Sequence, residues 1–197
     1  MNRSSSSFIE DEGYILQSIP WRETSLIIKV FSRDHGYVSI VAKGAKRPYS
    51  QLRPVLLSFQ HLMLAWSNNR SDIKTLVRAD LGDILLIPGD SLMCAWYMNE
   101  LILYSLAGED AHPVLFDAYS KSLECLCNKS NYKANILRRF EWILLKEIGY
   151  GIDQTEPDFN NQELEPILRL HLRKRMETML GGRELLTKKI LLNLHYY

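Results

Sequence analysis

Six cations in the first half of the chain are candidates for work on a polyanion. Four of them, Lys43, Lys46, Arg47 and Arg53, lie in or just after the stretch Val41-Ala42-Lys43-Gly44-Ala45-Lys46-Arg47-Pro48. The chemistry open to them is neutralisation of phosphate, which binds tightly at low salt and carries no base information. Lys74 and Arg78 join the set if the segment that carries them lies beside this loop. Tyr37, Tyr49 and Trp66 are the aromatics available for stacking on bases. A lone basic cluster is more often a solvated turn than a binding site, so its setting decides.

A second pair is Arg138-Arg139, set just before Phe140-Glu141-Trp142 in an otherwise apolar run. Adjacent residues point about 100° apart on a helix, so the two guanidinium groups cannot share a face. At least one must approach the edge of the apolar seam. There it meets either an internal acid or a carboxylate brought by a partner.

No catalytic centre is legible. The chain has no Gly-x-x-x-x-Gly-Lys phosphate loop, no Gly-x-Gly-x-x-Gly turn and no His-Glu-x-x-His pair. His35, His61, His112, His171 and His195 are scattered and stand beside no nucleophile in a known setting. The acidic clusters Glu10-Asp11-Glu12, Glu109-Asp110 and Glu156-x-Asp158 have the ligand type for a hard metal, but they fall in tail or loops, where solvated charge is the simpler reading. The expectation is a protein that is not an enzyme and uses no metal or cofactor. Cys94, Cys125 and Cys127 lack framework spacing, and Cys125-x-Cys127 would place its thiols roughly 200° apart on a helix, so all three read as reduced.

The elements that must position these residues fall into two textures. From Gly13 to about Leu81 there are five strand-like runs: Tyr14 to Ile19, Ser25 to Ser32, Tyr37 to Ala42, Val55 to Trp66 and Ile73 to Ala79. Turn chemistry separates them, as at Pro20-Trp21-Arg22-Glu23 and Arg33-Asp34-His35-Gly36. Five antiparallel strands in about 70 residues predict a small closed barrel of OB type, because closure removes exposed edges. From Pro88 onward the period changes to 3.6. Helices are expected from Pro88 to near Gly108, from Pro113, over Leu137 to Ile148 with Gly149 and Gly151 as the stop, and over Leu164 to Leu180 and Glu184 to Leu194. The predicted class is α+β: a disordered extension at 1–12, an OB-fold DNA-binding domain at 13–82 and an all-helical domain at 83–197.

The 197 residues are 46% hydrophobic and 24% charged, ordinary for a folded chain, but the charge is unevenly placed. Residues 1–80 carry 11 Lys/Arg against 7 Asp/Glu, a net +4; residues 81–168 carry 6 against 14, a net −8; residues 169–197 carry 7 against 2, a net +5. Local field outweighs the total of +1, because the Debye length is only about 8 Å at physiological salt. The most apolar run, Leu92 to Gly108, includes Asn99 and Glu100 and is shorter than the roughly 20 residues of a bilayer span. Serines stand at positions 4–7, where a signal peptide has its apolar core. A cytoplasmic protein without a membrane segment is expected.

Several strings occur together in the order and spacing of one family. They are Trp21-Arg22-Glu23-Thr24-Ser25-Leu26, His35-Gly36, Val41 to Arg47, Lys74-Thr75-Leu76, Tyr97-Met98-Asn99-Glu100-Leu101, Leu137-Arg138-Arg139-Phe140-Glu141 and Leu144 to Gly151, closed by Gly181-Gly182-Arg183. In this combination the chain resembles the bacterial recombination mediator and DNA-repair family RecO. The resemblance implies an OB barrel followed by helices, without catalysis, that binds single- and double-stranded DNA and anneals complementary strands. It further implies that, with RecR, such a protein helps load RecA on DNA coated with single-strand DNA-binding protein, at the nucleoid. It places Lys43, Lys46 and Arg47 on the DNA, and Arg138 or Arg139 where the helical domain takes the acidic, phenylalanine-ended tail of the single-strand DNA-binding protein. Such proteins often carry a longer segment with four zinc-binding cysteines before the last helices. Here only 12 residues without cysteine separate Gly151 from Leu164, so no zinc site is expected. Two readings from other classes are a barrel-and-helix adaptor that binds protein only, and a metal-dependent nuclease.

Overall fold

A 14-residue first strand closes the barrel. In the computed structural model, which describes residues 7–128, 133–150, 155–161 and 163–193, β1 (Phe8–Trp21) is far longer than the five or six residues usual for a strand. Its first half pairs with β4 (His61–Ser67), from Phe8 opposite Ser67 to Tyr14 opposite His61. Its second half pairs with β2 (Ser25–Ser32), from Gly13 opposite Ser32 to Trp21 opposite Ser25, with an irregularity between Ile15 and Gln17. β3 (Gly36–Ala42) follows β2 as a hairpin, and β5 (Ile73–Leu81) joins β3 in parallel and β4 antiparallel. The order β1-β2-β3-β5-β4 is closed. Alternate residues of each strand fill the interior: Ile28 and Val30, Val38 and Ile40, Leu62, Leu64 and Trp66. The five-stranded barrel followed by helices is the class expected from the pattern.

Three expectations change. Residues 8–12 are strand rather than extension, because β4 supplies a ladder partner to each of them. Asp11 is accordingly not a solvated charge: it is 6% exposed, takes a hydrogen bond from the Ser32 hydroxyl and another from the Asp34 backbone N–H at 2.9 Å, and lies 3.0 Å from His35 Nδ1. The fourth strand starts at His61 and not at Val55, since Phe59 sits at φ +66 and the Leu56 N–H turns back to the Leu52 carbonyl at 2.9 Å. Leu56 and Phe59 are buried, so a loop carries the apolar pattern of a strand.

Residues 107–112 belong to the barrel unit, which otherwise runs up to Ile84, although they lie between two helices in sequence. The Tyr37 N–H donates to the Gly108 carbonyl at 3.2 Å, and Lys74 pairs with Glu109 at 2.9 Å. Gly36 makes this approach possible. It sits at φ +62, and a Cβ there would stand 1.9 Å from the Asp110 carbonyl oxygen.

The second unit comprises Leu85–Leu106 and the residues from Pro113 onward. Its helices are α1 (Leu92–Ser105), α2 (Pro113–Cys127), α3 (Lys133–Glu147), α4 (Glu165–Leu180) and α5 (Leu186–Asn193). Gly151, the residues 152–154 and 162 and Leu194 lie outside the described residues. Tyr119 of α2 sets its ring edge-on to Phe140 of α3 and donates its hydroxyl to Asn99 of α1 at 2.5 Å. The Glu100 carboxylate receives the Leu186 and Thr187 N–H groups at 2.9 and 3.0 Å, which caps α5. Among the described residues no helix is long and apolar enough to cross a membrane.

Gly36→Ala should therefore lower stability in urea denaturation by at least about 1–2 kcal/mol, the cost of a Cβ in the left-handed region alone. The same change at Gly89, which has no atom within 4 Å of the added carbon, should stay within about 0.5 kcal/mol of the parent.

Candidate nucleic-acid interface

Past Ala42 the chain leaves the sheet in a series of tight turns. The Arg47 N–H donates to the Gly44 carbonyl at 3.0 Å, Ser50 to Arg47 at 3.1 Å and Arg53 to Ser50 at 3.2 Å. Gly44, at φ +70, takes the first reversal. Contacts at its start hold this connection against the barrel. Ala45 is buried with the core cluster, and the Lys46 N–H donates to the Thr24 carbonyl at 2.8 Å in the β1–β2 turn. With Ala45 facing in, Lys43, Lys46 and Arg47 face out; Arg53 is exposed further along.

These four lack a counter-charge, as do Arg22, Lys29 and Arg70 among the described residues of the barrel unit; what sets the four apart is that all stand exposed on one connection. Arg33 pairs with Glu12 at 3.0 Å, and Arg78 bridges Glu10 and Asp80, each at 2.9 Å. Among the described residues Lys43, Lys46, Arg47 and Arg53 form no ion pair. Lys43 and Arg47 line a common hollow of about 800 Å³. Lys46 and Arg53 share the loop but not that wall.

The two cations expected from β5 are placed differently. Lys74 stands opposite Ile40 in the parallel register, so it shares the inward side with a core residue and is 6% exposed. Its ammonium donates to the Asn69 carbonyl at 2.8 Å and pairs with Glu109. It is a structural cation, satisfied because burial demands it. Arg78 is exposed but already holds two carboxylates. Neither belongs to the unpaired set.

The aromatics are also redistributed. Trp66 is 0% exposed and packs edge-on to His35 inside the barrel, so it cannot meet a base. Tyr37 is partly buried, with the Lys29 ammonium 5.8 Å from its ring centre. Tyr49 is 95% exposed and lines a second hollow of about 480 Å³ with Lys43 and Arg47. Trp21 escaped the sequence reading. It is 44% exposed and lines the larger hollow. Its signal was a tryptophan in the turn Pro20-Trp21-Arg22-Glu23, a setting that does not bury an indole.

In the helical unit the two adjacent arginines separate. Arg138 is 1% exposed and lies 2.8 Å from Glu141, whose other oxygen accepts the Tyr97 hydroxyl at 2.6 Å. Burial pushes the Glu141 carboxyl above the usual range, against the pull of Arg138 and Tyr97. Arg138 is thus held by an internal acid beneath the surface, which leaves Arg139 as the exposed member of the expected tail-binding pair. Arg139 points to the surface, 3.0 Å from Glu156, and lines a groove of about 530 Å³ with Val114, Ile136, Ile143 and Phe159. Phe159 turns its ring edge to Trp142 at 6.3 Å.

Burial lifts the Cys94 thiol to about 11 and raises that of Cys127, which keeps both protonated, and all three cysteines are free. Among the described residues no three His, Cys, Asp or Glu side chains are grouped to hold a metal ion.

Comparison with known proteins matches residues 6–84 to the family model "Recombination protein O N terminal" and residues 89–166 to "Recombination protein O C terminal". The chain is 47% identical over 159 residues to the DNA repair protein RecO of Aromatoleum aromaticum, covering 80% of this chain and 65% of that one. It is 45% identical over 145 residues to the DNA repair protein RecO of Azoarcus sp. (73% and 59%) and 48% identical over 143 residues to that of Ralstonia nicotianae (72% and 52%). The matched stretch thus spans about half to two thirds of the length of these relatives.

The two arginines should respond differently to truncation. Arg138→Ala, which leaves Glu141 buried without its partner, should cost about 3–5 kcal/mol in urea denaturation. Arg139→Ala removes only an exposed ion pair and should cost less than about 1 kcal/mol.

Proposed function

Given that this chain belongs to the recombination protein O family, we propose that it is a DNA-repair protein that binds single- and double-stranded DNA through its β3–β4 connection. It anneals complementary strands and, with RecR, helps load RecA on DNA coated with single-strand DNA-binding protein, in the bacterial cytoplasm at the nucleoid. The observation that carries this reading is the set Lys43, Lys46, Arg47 and Arg53, exposed together on one connection without an ion pair among the described residues, where Arg33, Lys74 and Arg78 each hold a carboxylate. Annealing requires two polyanions to approach each other. Cations without a counter-ion of their own lower that repulsion and release condensed counter-ions from the strands.

Recruitment falls to a separate surface. The groove at Arg139 sets that guanidinium and Lys121 beside the apolar side chains of Val114, Ile136, Ile143 and Phe159, with Asp117, Glu156 and Asp158 also on its lining; a tail ending in phenylalanine would lay its ring on the apolar wall and its carboxylates on the two cations, away from the groove's own acids. At rest Glu156 holds that guanidinium. An incoming carboxylate therefore competes with a weak, exposed ion pair. No bond of the nucleic acid is made or broken in this mechanism; incubation with magnesium should leave labelled strands intact.

Annealing of coated complementary strands tests the reading. Lys46→Glu with Arg47→Glu should abolish annealing and leave tail-peptide affinity unchanged. If annealing persists with its usual salt sensitivity, the loop is not the site; if labelled DNA never binds at low salt, the adaptor reading stands instead. With all four loop cations engaged, log affinity against log salt should fall with a slope of roughly −3.6 on duplex and −2.8 on single strands. For a phenylalanine-ended acidic peptide, Arg139→Ala should weaken binding, whereas Glu156→Gln should strengthen it by roughly two- to five-fold, the worth of an exposed pair.

A further inference from the structure

We infer that Trp21 is a base-stacking platform, and that the hollow it shares with Lys43 and Arg47 takes an unstacked nucleobase of a single strand while those two cations hold the flanking phosphates. The inference rests on the DNA-binding reading above and adds the site that would distinguish single-stranded from duplex DNA.

Three observations converge on it. First, Trp21 is 44% exposed at the end of β1, whereas the indoles of Trp66 and Trp142 are buried. An indole 44% exposed at a turn gives only part of its surface to packing. Second, Lys43, Gly44 and Arg47 line both hollows of the loop, with Trp21 in one and Tyr49 in the other. The cations form a shared wall between two aromatic-bearing depressions, which matches a strand whose phosphates follow the wall and whose bases dip to either side. Third, the backbone holds the two sides together. Arg22 and Glu23 follow Trp21 in the β1–β2 turn, Arg22 lies at φ +52, and the Lys46 N–H is bonded to Thr24 of the same turn. The platform and the cations therefore keep a fixed spacing.

Glu23 also lines the larger hollow and must be accounted for. A carboxylate there repels phosphate, so the phosphates stay on the Lys43–Arg47 wall. The same carboxylate is an acceptor for the N–H groups on a base edge. Arg22 lines the same hollow and offsets its charge. A duplex cannot use this site, because its bases are already stacked on one another; a strand with free bases can.

The test is fluorescence anisotropy of the full chain with three labelled probes of equal length: an oligothymidylate, an abasic strand and a duplex. Trp21→Ala should lower oligothymidylate affinity by roughly 5- to 100-fold, leave the other two within about two-fold, and leave the salt slope unchanged. Trp21→Phe should retain part of the affinity, and binding of unlabelled oligothymidylate to the parent should quench tryptophan emission while the abasic strand does not. Equal losses on all three probes, or oligothymidylate affinity that is unmoved in both variants, would overturn the platform and leave the cationic loop standing. Failure of the parent to bind any probe at low salt would overturn the DNA-binding reading and the platform with it. If Trp21→Ala does not fold, Trp21→Phe and the emission of the parent decide.

Discussion

Everything in the barrel unit hangs on β1 pairing on both of its edges. β1 divides its 14 residues between its neighbours, Phe8 to Tyr14 along β4 and Gly13 to Trp21 along β2, with a register shift between Ile15 and Gln17. Closure leaves no free edge, and it brings the β1–β2 turn beside the start of the β3–β4 connection, where Lys46 bonds to Thr24. The nearness of the basic connection to that turn is thus a by-product of closing the sheet. A barrel open between β1 and β4 would leave residues 8–12 without ladder partners and Asp11 without the strand that holds it beside Ser32 and His35.

On that frame the cations stand in two states. Lys74 holds Glu109, Arg33 holds Glu12, and Arg78 holds Glu10 and Asp80. Lys29 on β2 and the four cations of the connection after Ala42 hold no carboxylate among the described residues. Exposed ion pairs add little to stability, so their absence at the loop costs the fold almost nothing. It does leave a local excess of positive potential, the kind of field that attracts a polyanion.

The helical unit shows the same division within two consecutive residues. Arg138 and Arg139 are of one chemical type, yet one is locked to Glu141 beneath the surface and the other stands at a groove with Glu156 as a loose partner. The Tyr97 hydroxyl of α1 donates to Glu141 of α3, and the same carboxylate faces the Arg138 guanidinium, so this buried group ties α1 to α3. An exposed guanidinium can exchange partners.

Much of this was open to inspection in the chain itself. Ser25 to Ser32 is strand in both readings, residue for residue, because alternation is a local property of the backbone and needs no knowledge of neighbours. The helix starting at Pro113 and the left-handed Gly149 after α3 were legible for the same reason. So was the loop, where glycine and proline forbid a strand and the cations between them must leave the sheet. What one dimension could not supply is which side chains meet across it. Arg78 finds Glu10 across 68 positions of chain, and only the register of β4 between β1 and β5 sets that pair. The same holds for Lys74, turned inward by its place opposite Ile40, for Leu56 and Phe59, which read as strand but fold as loop, and for Trp21, which matters only because closure sets its turn beside the basic connection. Local composition determined that this protein would present unattached positive charge on a turn; long-range pairing decided which charges stay unattached and what aromatic stands beside them, because Coulomb and stacking energies depend on distance in space and not on distance along the chain.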